Sequence, residues 1–144
     1  MIRYDTYNNI DNLVGKTVKA IYMDREILVF DTDQGKIGYG VDGDCCSISY
    51  FYDFHGVQKL LAGNQVVSTK YIDLETPTDE DAQRGDTVAA YGFEIVTHDP
   101  KYGDVTSVFS FRNDSNGYYG GSLHQLTEVD EIPTRQLTED FLGE

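Results

Sequence analysis

Two adjacent cysteines, Cys45 and Cys46, are the groups in this sequence whose types and spacing first suggest reactive chemistry. They follow two aspartates in the run DGDCCSISYFYDFHG, and four aromatic residues and His55 come after them. Thiolates and imidazoles bind zinc, paired thiols respond to redox conditions, and a cysteine beside a histidine can act as a nucleophile. The run therefore raises three candidate chemistries, each with its own demands.

The rest of the sequence meets none of those demands. A zinc site needs about four converging ligands, but adjacent cysteines in a strand point to opposite faces and the three histidines are far apart in the chain. A disulfide between neighbours is strained, and a cysteine nucleophile needs a histidine and an orienting third group that no motif here identifies. We therefore expect structural thiols, no metal, no cofactor, no catalytic residue and no enzymatic activity.

A second candidate is Arg112, in the run SFRNDSNGYYGGS, where one cation is surrounded by amides and aromatic residues. Guanidinium recognises phosphate with two parallel hydrogen bonds, and aromatic rings stack on bases, so this run has the groups for a small phosphorylated or base-containing ligand. The simpler interpretation is that Arg112 neutralises Asp114 while Tyr118 and Tyr119 pack the sheet. The residues alone favour that simpler interpretation, and the usual glycine-rich nucleotide motifs do not occur.

The net charge of −14 limits the partners of the chain. An acidic surface repels the phosphates that supply most nonspecific affinity for nucleic acid and for anionic membranes. It suits either a well-solvated cytoplasmic protein or one that imitates nucleic acid in a basic groove. The opening MIRYDTYNNI lacks signal-peptide character, and no apolar stretch reaches membrane-spanning length. We expect a cytoplasmic protein without a membrane partner.

Hydrophobic alternation predicts an α+β fold, a mainly antiparallel β-sheet meander or sandwich with one short helix. The runs KTVKAIYMD, EILVFDTD and KIGYGVD predict three strands joined by tight turns. The run GVQKLLAGN predicts the helix, near residues 56–62, and QVVSTKYIDLE predicts another strand. TVAAYGFEIVTHD and VTSVFSFRN predict a long hairpin. Asn116-Gly117 then predicts a tight turn that returns the strand YYGGSLHQL beside it.

Residues 1–126 are predicted to form a single globular β-rich domain, because 144 residues suit one domain with its own core. The acidic run from 75 to 86 lacks apolar periodicity and is expected to be an exposed loop. Residues 127–144 carry six carboxylates against one arginine. We expect them to form an acidic C-terminal tail, with a short helix that begins at Thr138 and is anchored by Phe141 and Leu142.

Three runs occur in an order that resembles a family of small uncharacterised proteins of phages and prophages. They are LVGKTVKAIYMDREILVFDTDQGKIGYGVDGDCCSISYFYDFHG, VQKLLAGNQVV and VFSFRNDSNGYYGGSL, and the resemblance spans residues 13–125. The motifs that carry it are a GK before a β-hairpin, a DCC followed by small and aromatic residues, a short helix, and a late SNGYY hairpin. This chain departs from the pattern in SNGYYGG, where a polar residue usually follows the tyrosines, and in its longer acidic loop and tail.

That family is similar in turn to the anti-Thoeris sponge proteins of phages. Those proteins are oligomeric and non-catalytic, and they sequester cyclic ADP-ribose-type immune signals, some of them also cyclic oligonucleotides. The resemblance implies that arginines contact phosphate, and that two amides and one of two aromatic residues contact the base or ribose. The six residues concerned are Arg112 and Arg25, Asn113 and Asn116, and Phe93 or Tyr91.

Two functions of different classes follow. The resemblance implies a phage-encoded counter-defence protein in the host cytoplasm, a homo-oligomer whose partner is a small cyclic nucleotide, without direct contact to nucleic acid. The net charge instead favours an acidic inhibitor that imitates nucleic acid and blocks a CRISPR effector or another basic host defence protein. The carboxylates between Asp73 and Asp86 would then replace phosphates. Binding by such a mimic should collapse as ionic strength rises, whereas an enclosed ligand site should lose little affinity.

Overall fold

The computed structural model describes residues 4–7, 10–43, 48–74, 87–115 and 121–143 of the chain. Within them, ten strands form two antiparallel sheets, accompanied by one short α-helix and one 3-10 turn. This arrangement confirms the predicted α+β, mainly antiparallel architecture. The predictions for Cys45, Cys46, Asn116 and the acidic run from 75 to 86 lie outside the described residues.

The elements follow the chain in an order close to the predicted one. They are β1 (Tyr4–Tyr7), the 3-10 turn (Ile10–Leu13), β2 (Val18–Met23), β3 (Ile27–Thr32), β4 (Gly35–Gly43), β5 (Ile48–His55), α1 (Val57–Leu60), β6 (Val66–Asp73), β7 (Thr87–Asp99), β8 (Gly103–Ser115), β9 (Gly121–Leu126) and β10 (Gln136–Leu137). The meander β2–β4, the helix α1, the strand β6 and the hairpin β7–β8 confirm their predictions.

The strands are divided between a larger and a smaller sheet. The first has six strands in the order β1-β9-β4-β3-β2-β10, and the second has four in the order β5-β8-β7-β6. At one edge of the first sheet, β2 is followed only by the short strand β10. β5 is an edge strand of the second sheet. None of the helices in the described part of the chain is long and apolar enough to cross a membrane.

The two sheets pack against each other through aromatic side chains. Phe30 of β3 contacts Phe54 of β5 and Phe109 of β8, with ring centroids 6.1 and 6.2 Å apart. All three rings are fully buried, and burying one such side chain contributes about 1.5–3 kcal/mol. This packing holds the edge strand β5 next to the β2–β3 hairpin.

The prediction that β9 returns beside β8 is wrong. β9 lies in the other sheet, between β1 and β4, with Leu123 opposite Val41 and His124 opposite Tyr7. Leu123 and Leu126 are buried there. A turn motif specifies only local geometry, whereas the choice between two sheets depends on where a strand buries its apolar side chains.

The prediction of a helix that begins at Thr138 is also wrong. β10 pairs with β2, with Leu137 opposite Ile21, and Phe141 forms an isolated antiparallel bridge with Phe54 of β5. A helix of one or two turns is unstable on its own in water, whereas this segment satisfies backbone groups on two strand edges and buries Leu137. The C-terminal segment is therefore part of the framework that holds the two sheets together.

Candidate functional site

Residues 134–141 connect the edges of the two sheets, and we call them the strap. At one end, Met23 N of β2 donates to Arg135 O at 3.1 Å. At the other end, Phe54 N donates to Phe141 O at 2.8 Å and Phe141 N donates to Phe54 O at 3.0 Å. Because these bonds join backbone groups, the two strands fix the path of the strap.

The turn between β2 and β3 is held by the carboxylate of Asp24. Its Oδ1 accepts hydrogen bonds from Glu26 N and Ile27 N, both at 2.7 Å, and Asp24 N donates to Ile27 O at 3.0 Å. Aspartate favours such turns because its short side chain reaches the backbone just ahead of it. The turn also brings Arg25 O to β5, where it accepts from Phe51 N at 2.9 Å.

An open pocket of about 230 Å³ lies between this turn, β5 and the strap. Each of the three parts contributes three lining residues. They are Met23, Asp24 and Arg25 from the turn, Tyr50, Phe51 and Tyr52 from β5, and Thr134, Arg135 and Phe141 from the strap. Met23 and Phe51 are buried while Arg25 and Arg135 are exposed, so apolar side chains meet cationic ones in the pocket.

Two arginines of the pocket lie over aromatic rings. Arg25 Cζ is 4.4 Å from the ring centroid of Tyr50, and Arg135 Cζ is 4.6 Å from that of Phe141. A guanidinium is attracted to a ring face by about 0.5–1 kcal/mol at exposed sites, and its N–H donors lie in its own plane. This attraction favours a fixed position for each guanidinium at the pocket.

Arg112 adds a third cation beside the same aromatic residues. It lies opposite Tyr50 in the register of β5 and β8, and its Cζ is 3.5 Å from the ring centroid of Tyr52. Arg25, Arg112 and Arg135 are the arginines of the described residues; Arg25 and Arg135 line the pocket, and Arg112 lies beside it, over the ring of Tyr52. Asp24 also lines the pocket and Asp114 acts on the same Tyr50, so two carboxylates lie near the three guanidiniums. We call the site the arginine pocket.

The Tyr50 phenol lies within the influence of two of these cations. Burial raises its pKa, and the guanidiniums of Arg112 and Arg25 oppose that shift, while Asp114 and Tyr52 add to it. The net direction is upward from the ordinary value of 10.0. The phenol therefore stays protonated at neutral pH and is a hydrogen-bond donor at the pocket.

Gly143, just beyond the strap, packs against the ring of Tyr52. Its φ of +83° is a left-handed conformation that favours glycine. A Cβ at this position would lie 2.6 Å from Cε2 and 2.7 Å from Cζ of Tyr52. Both Arg112 and Gly143 therefore contact the Tyr52 ring and restrict its position.

Of the residues predicted to contact ligand, Arg25 and Arg112 come together around Tyr50. Asn113 does not join them, because neighbouring residues in a strand point to opposite faces. The side chain of Asn113 is fully buried, and its Oδ1 accepts a hydrogen bond from Ser49 Oγ at 2.9 Å. The structure thus separates the cation from the amide that follows it in sequence.

The two aromatic residues predicted to contact a base lie in the core of the second sheet. Phe93 is 2% exposed and stacks on Phe109, with ring centroids 5.4 Å apart. Tyr91 is half-buried and stacks on Phe111 at 4.9 Å. Neither residue lines the arginine pocket, and Asn116 lies outside the described residues.

Of the nine residues that line the pocket, only Arg25 was predicted from the sequence to contact ligand. Tyr50 and Tyr52 were not among the predicted ligand contacts, although the alternation in β5 sends Phe51 into the core and leaves the flanking tyrosines half-buried. Arg135 and Phe141 were placed in a tail. The available signal for Arg135 was that it is the one cation in an otherwise acidic segment.

Comparison with known proteins returns no assignment. No protein-family model, no curated protein and no solved structure matches this chain. Across the described ranges, no group of three or more His, Cys, Asp or Glu side chains is placed to hold a metal ion. The resemblance to phage proteins stays a prediction, and the geometry of the arginine pocket carries the functional inference.

Proposed function

We propose that this protein binds and sequesters a small nucleotide-type ligand in the arginine pocket, as a non-catalytic counter-defence protein encoded by a phage. The ligand class is a cyclic ADP-ribose-type immune signal, with cyclic oligonucleotides as further candidates. The observation that carries the proposal is that Arg25 and Arg135 line one pocket over aromatic rings, while Arg112 lies over Tyr52, a further aromatic residue of the lining.

Arginine suits the phosphates of such a ligand. A guanidinium can donate two parallel hydrogen bonds to one phosphate, and a charge-assisted hydrogen bond contributes about 1.5–3 kcal/mol. The net charge of −14 repels an approaching anion, but salt screens that repulsion beyond about 8 Å at physiological ionic strength. The guanidiniums that line the pocket therefore dominate once the anion has entered.

Aromatic side chains suit the base of the same ligand. Tyr50, Tyr52 and Phe141 line the pocket, and stacking on an aromatic ring contributes about 1–3 kcal/mol per base. The guanidiniums over these rings extend the stacking surface, because guanidinium also stacks on flat π-systems. Phosphate and base thus both find complementary groups within one pocket.

The size of the pocket limits how much ligand one chain can enclose. Its volume of about 230 Å³ is below the range of about 300–1,000 Å³ that is usual for drug-sized ligands. It suits one nucleotide-sized portion of a larger cyclic molecule. The rest would extend past Tyr52 toward Arg112 or be enclosed by a second copy of the chain, as in the predicted homo-oligomer.

Isothermal titration calorimetry against cyclic ADP-ribose isomers and cyclic di- and trinucleotides tests this proposal. We expect one panel member to bind with one ligand per pocket or per pocket pair. Arg25→Ala and Arg112→Ala should each weaken that binding at least about tenfold, the loss of a charge-assisted hydrogen bond. Native mass spectrometry of the same samples gives the number of copies in the complex.

Lys101→Ala is the matched control for the arginine variants. The Lys101 ammonium lies over the Tyr102 ring at 5.2 Å, so this change also removes one cation from an aromatic ring, but neither Lys101 nor Tyr102 lines the pocket. Its affinity should equal that of the wild type. The proposal fails if no panel member binds, or if Arg112→Ala and Lys101→Ala bind equally well.

The net charge keeps the acidic inhibitor as a second candidate. Most of the carboxylates predicted to imitate phosphate lie between residues 75 and 86, outside the described residues. If this candidate is right, the protein should capture a DNA-binding defence protein at low salt and lose at least about tenfold in affinity at 0.5 M salt. The calorimetric panel would then show no small ligand.

A further inference from the structure

Asp24 is the one carboxylate among the described residues that line the arginine pocket. Its Oδ1 is committed to the turn, where it accepts from Glu26 N and Ile27 N. Across the described part of the chain, no group donates a hydrogen bond to its Oδ2. The second carboxylate oxygen of Asp24 is thus uncommitted among the described residues, and the other two charged residues of the lining, Arg25 and Arg135, are cations.

We infer that Asp24 selects ligands that carry hydrogen-bond donors beside their phosphates, such as ribose hydroxyls or the amino group of a base. This inference rests on the proposed function and narrows its ligand class. It assigns Asp24 a role in specificity, while Arg25 and the other arginines supply affinity for phosphate. The predicted ligand is a nucleotide with accessible donors, and inorganic polyanions are disfavoured.

The physical reason is that one carboxylate has opposite effects on two kinds of ligand. A like charge at contact distance lowers the affinity of a bare pyrophosphate, because the two anions repel each other. A hydroxyl or amino group instead gains a charge-assisted hydrogen bond to the same oxygen. Discrimination between ligands is the difference between these two effects, and such repulsion is a common way to achieve specificity.

The turn itself does not require the negative charge. Asparagine supports the same geometry, because its Oδ1 accepts the same backbone N–H groups. The protein contains a second turn of this kind, in which Asp99 Oδ1 accepts from Lys101 N at 2.7 Å and Tyr102 N at 3.1 Å. Asp99 does not line the arginine pocket, so Asp99→Asn is a matched control for Asp24→Asn.

The experiment is calorimetry of the full chain with two probes, cyclic ADP-ribose and inorganic pyrophosphate. Asp24→Asn should bind cyclic ADP-ribose about tenfold more weakly, since it loses a charge-assisted acceptor. It should bind pyrophosphate about threefold more tightly, since a repulsive charge is removed. Asp99→Asn should leave both affinities within about twofold of wild type.

Each outcome of this experiment is decisive. A variant that merely damages the turn would weaken both probes together, and that result overturns the role of Asp24, as does no change in either. In another outcome, wild type binds cyclic ADP-ribose and Arg112→Ala abolishes that binding, but Asp24→Asn does not change the affinities for the two probes in opposite directions. The inference then fails and the proposed function stands. If wild type binds neither probe nor any panel member, both fail.

Discussion

Two hairpin turns of this protein are built in the same way, but only one lines the arginine pocket. In the β2–β3 turn, Asp24 Oδ1 accepts two backbone N–H groups and the next residue, Arg25, places its guanidinium over an aromatic ring. In the β7–β8 turn, Asp99 Oδ1 accepts two backbone N–H groups and Lys101 places its ammonium over an aromatic ring.

The two turns differ in which part of the chain supplies the aromatic ring under the cation. Lys101 lies over Tyr102, its own neighbour, and Tyr102 is 73% exposed to solvent. Arg25 lies over Tyr50 of β5, and its carbonyl accepts from Phe51 N of the same strand. A similar turn therefore becomes a candidate site only where another part of the chain packs against it.

Detaching the strap should have the largest effect on stability and on ligand binding. Leu137 is 4% exposed, and Leu137→Ala should lower the free energy of unfolding by about 2–5 kcal/mol, as core truncations do. Binding of the panel ligand should fall in parallel, because Arg135 and Phe141 lose their support. Urea unfolding and calorimetry measure the two effects. Tyr102→Ala is the control and should change stability by less than about 0.5 kcal/mol. Equal losses of stability and binding in the two variants would contradict the difference between the two turns.

Two glycines with the same backbone conformation provide a sharper comparison. Gly143 and Gly103 both have φ of +83°, but a Cβ at Gly103 would meet nothing within 4 Å. Alanine at either site carries a left-handed strain of about 1–2 kcal/mol. Only Gly143→Ala should also weaken ligand binding, by about three- to tenfold, because its methyl group displaces Tyr52. Similar affinities in the two variants would show that the Tyr52 contact does not matter for binding.

A smaller effect is expected from the Tyr50 hydroxyl. Tyr50→Phe should weaken ligand binding by about two- to tenfold, the range for one neutral hydrogen bond, whereas Tyr102→Phe should not. Since burial raises the pKa of Tyr50 above 10.0, the hydroxyl should not make wild-type affinity depend on pH between pH 7 and 9. Calorimetry across that range checks this, and a Tyr50-dependent loss of affinity within it would contradict the raised pKa of the phenol.

The smallest effect concerns acid stability at the β7–β8 turn. Hydrogen bonds from Lys101 N, then Tyr102 N, lower the pKa of Asp99 below its ordinary 3.8. The ionised carboxylate therefore stabilises the fold above its ordinary pKa, and this contribution is lost as pH falls through the lowered value. Asp99→Asn should show less loss of stability on acidification below about pH 4. A carboxyl carbon titration by NMR should place the Asp99 midpoint below 3.8; a midpoint above it would contradict the turn geometry.

Much of the fold was predictable because its strand pairs are close in sequence. The β2–β4 meander and the β7–β8 hairpin have local turns and clear alternation, so pattern and pairing agree. β9 and β10 pair with strands far away in sequence, and local signals do not specify such partners. The buried Leu123 and Leu137 that determine these pairings look like any other leucines in the sequence.

The site was only partly predictable for the same reason. Arg25 and Arg112 were predicted as phosphate contacts, and the structure brings both close to Tyr50. Asn113 failed to join them because strand alternation turns it into the core. Arg135 and Phe141 come to the pocket through the strap, and no residue pattern within the C-terminal segment indicates that it spans two sheets.

The position of the strap also bears on how the protein avoids aggregation. Edge strands offer unpaired N–H and C=O groups to which strands of other molecules can add. The strap covers β2 with only two paired residues and β5 with a single bridge at Phe141. Such short additions leave little template for a further strand. Loss of the strap would uncover both edges at once, so a variant unable to bind ligand for this reason should also polymerise.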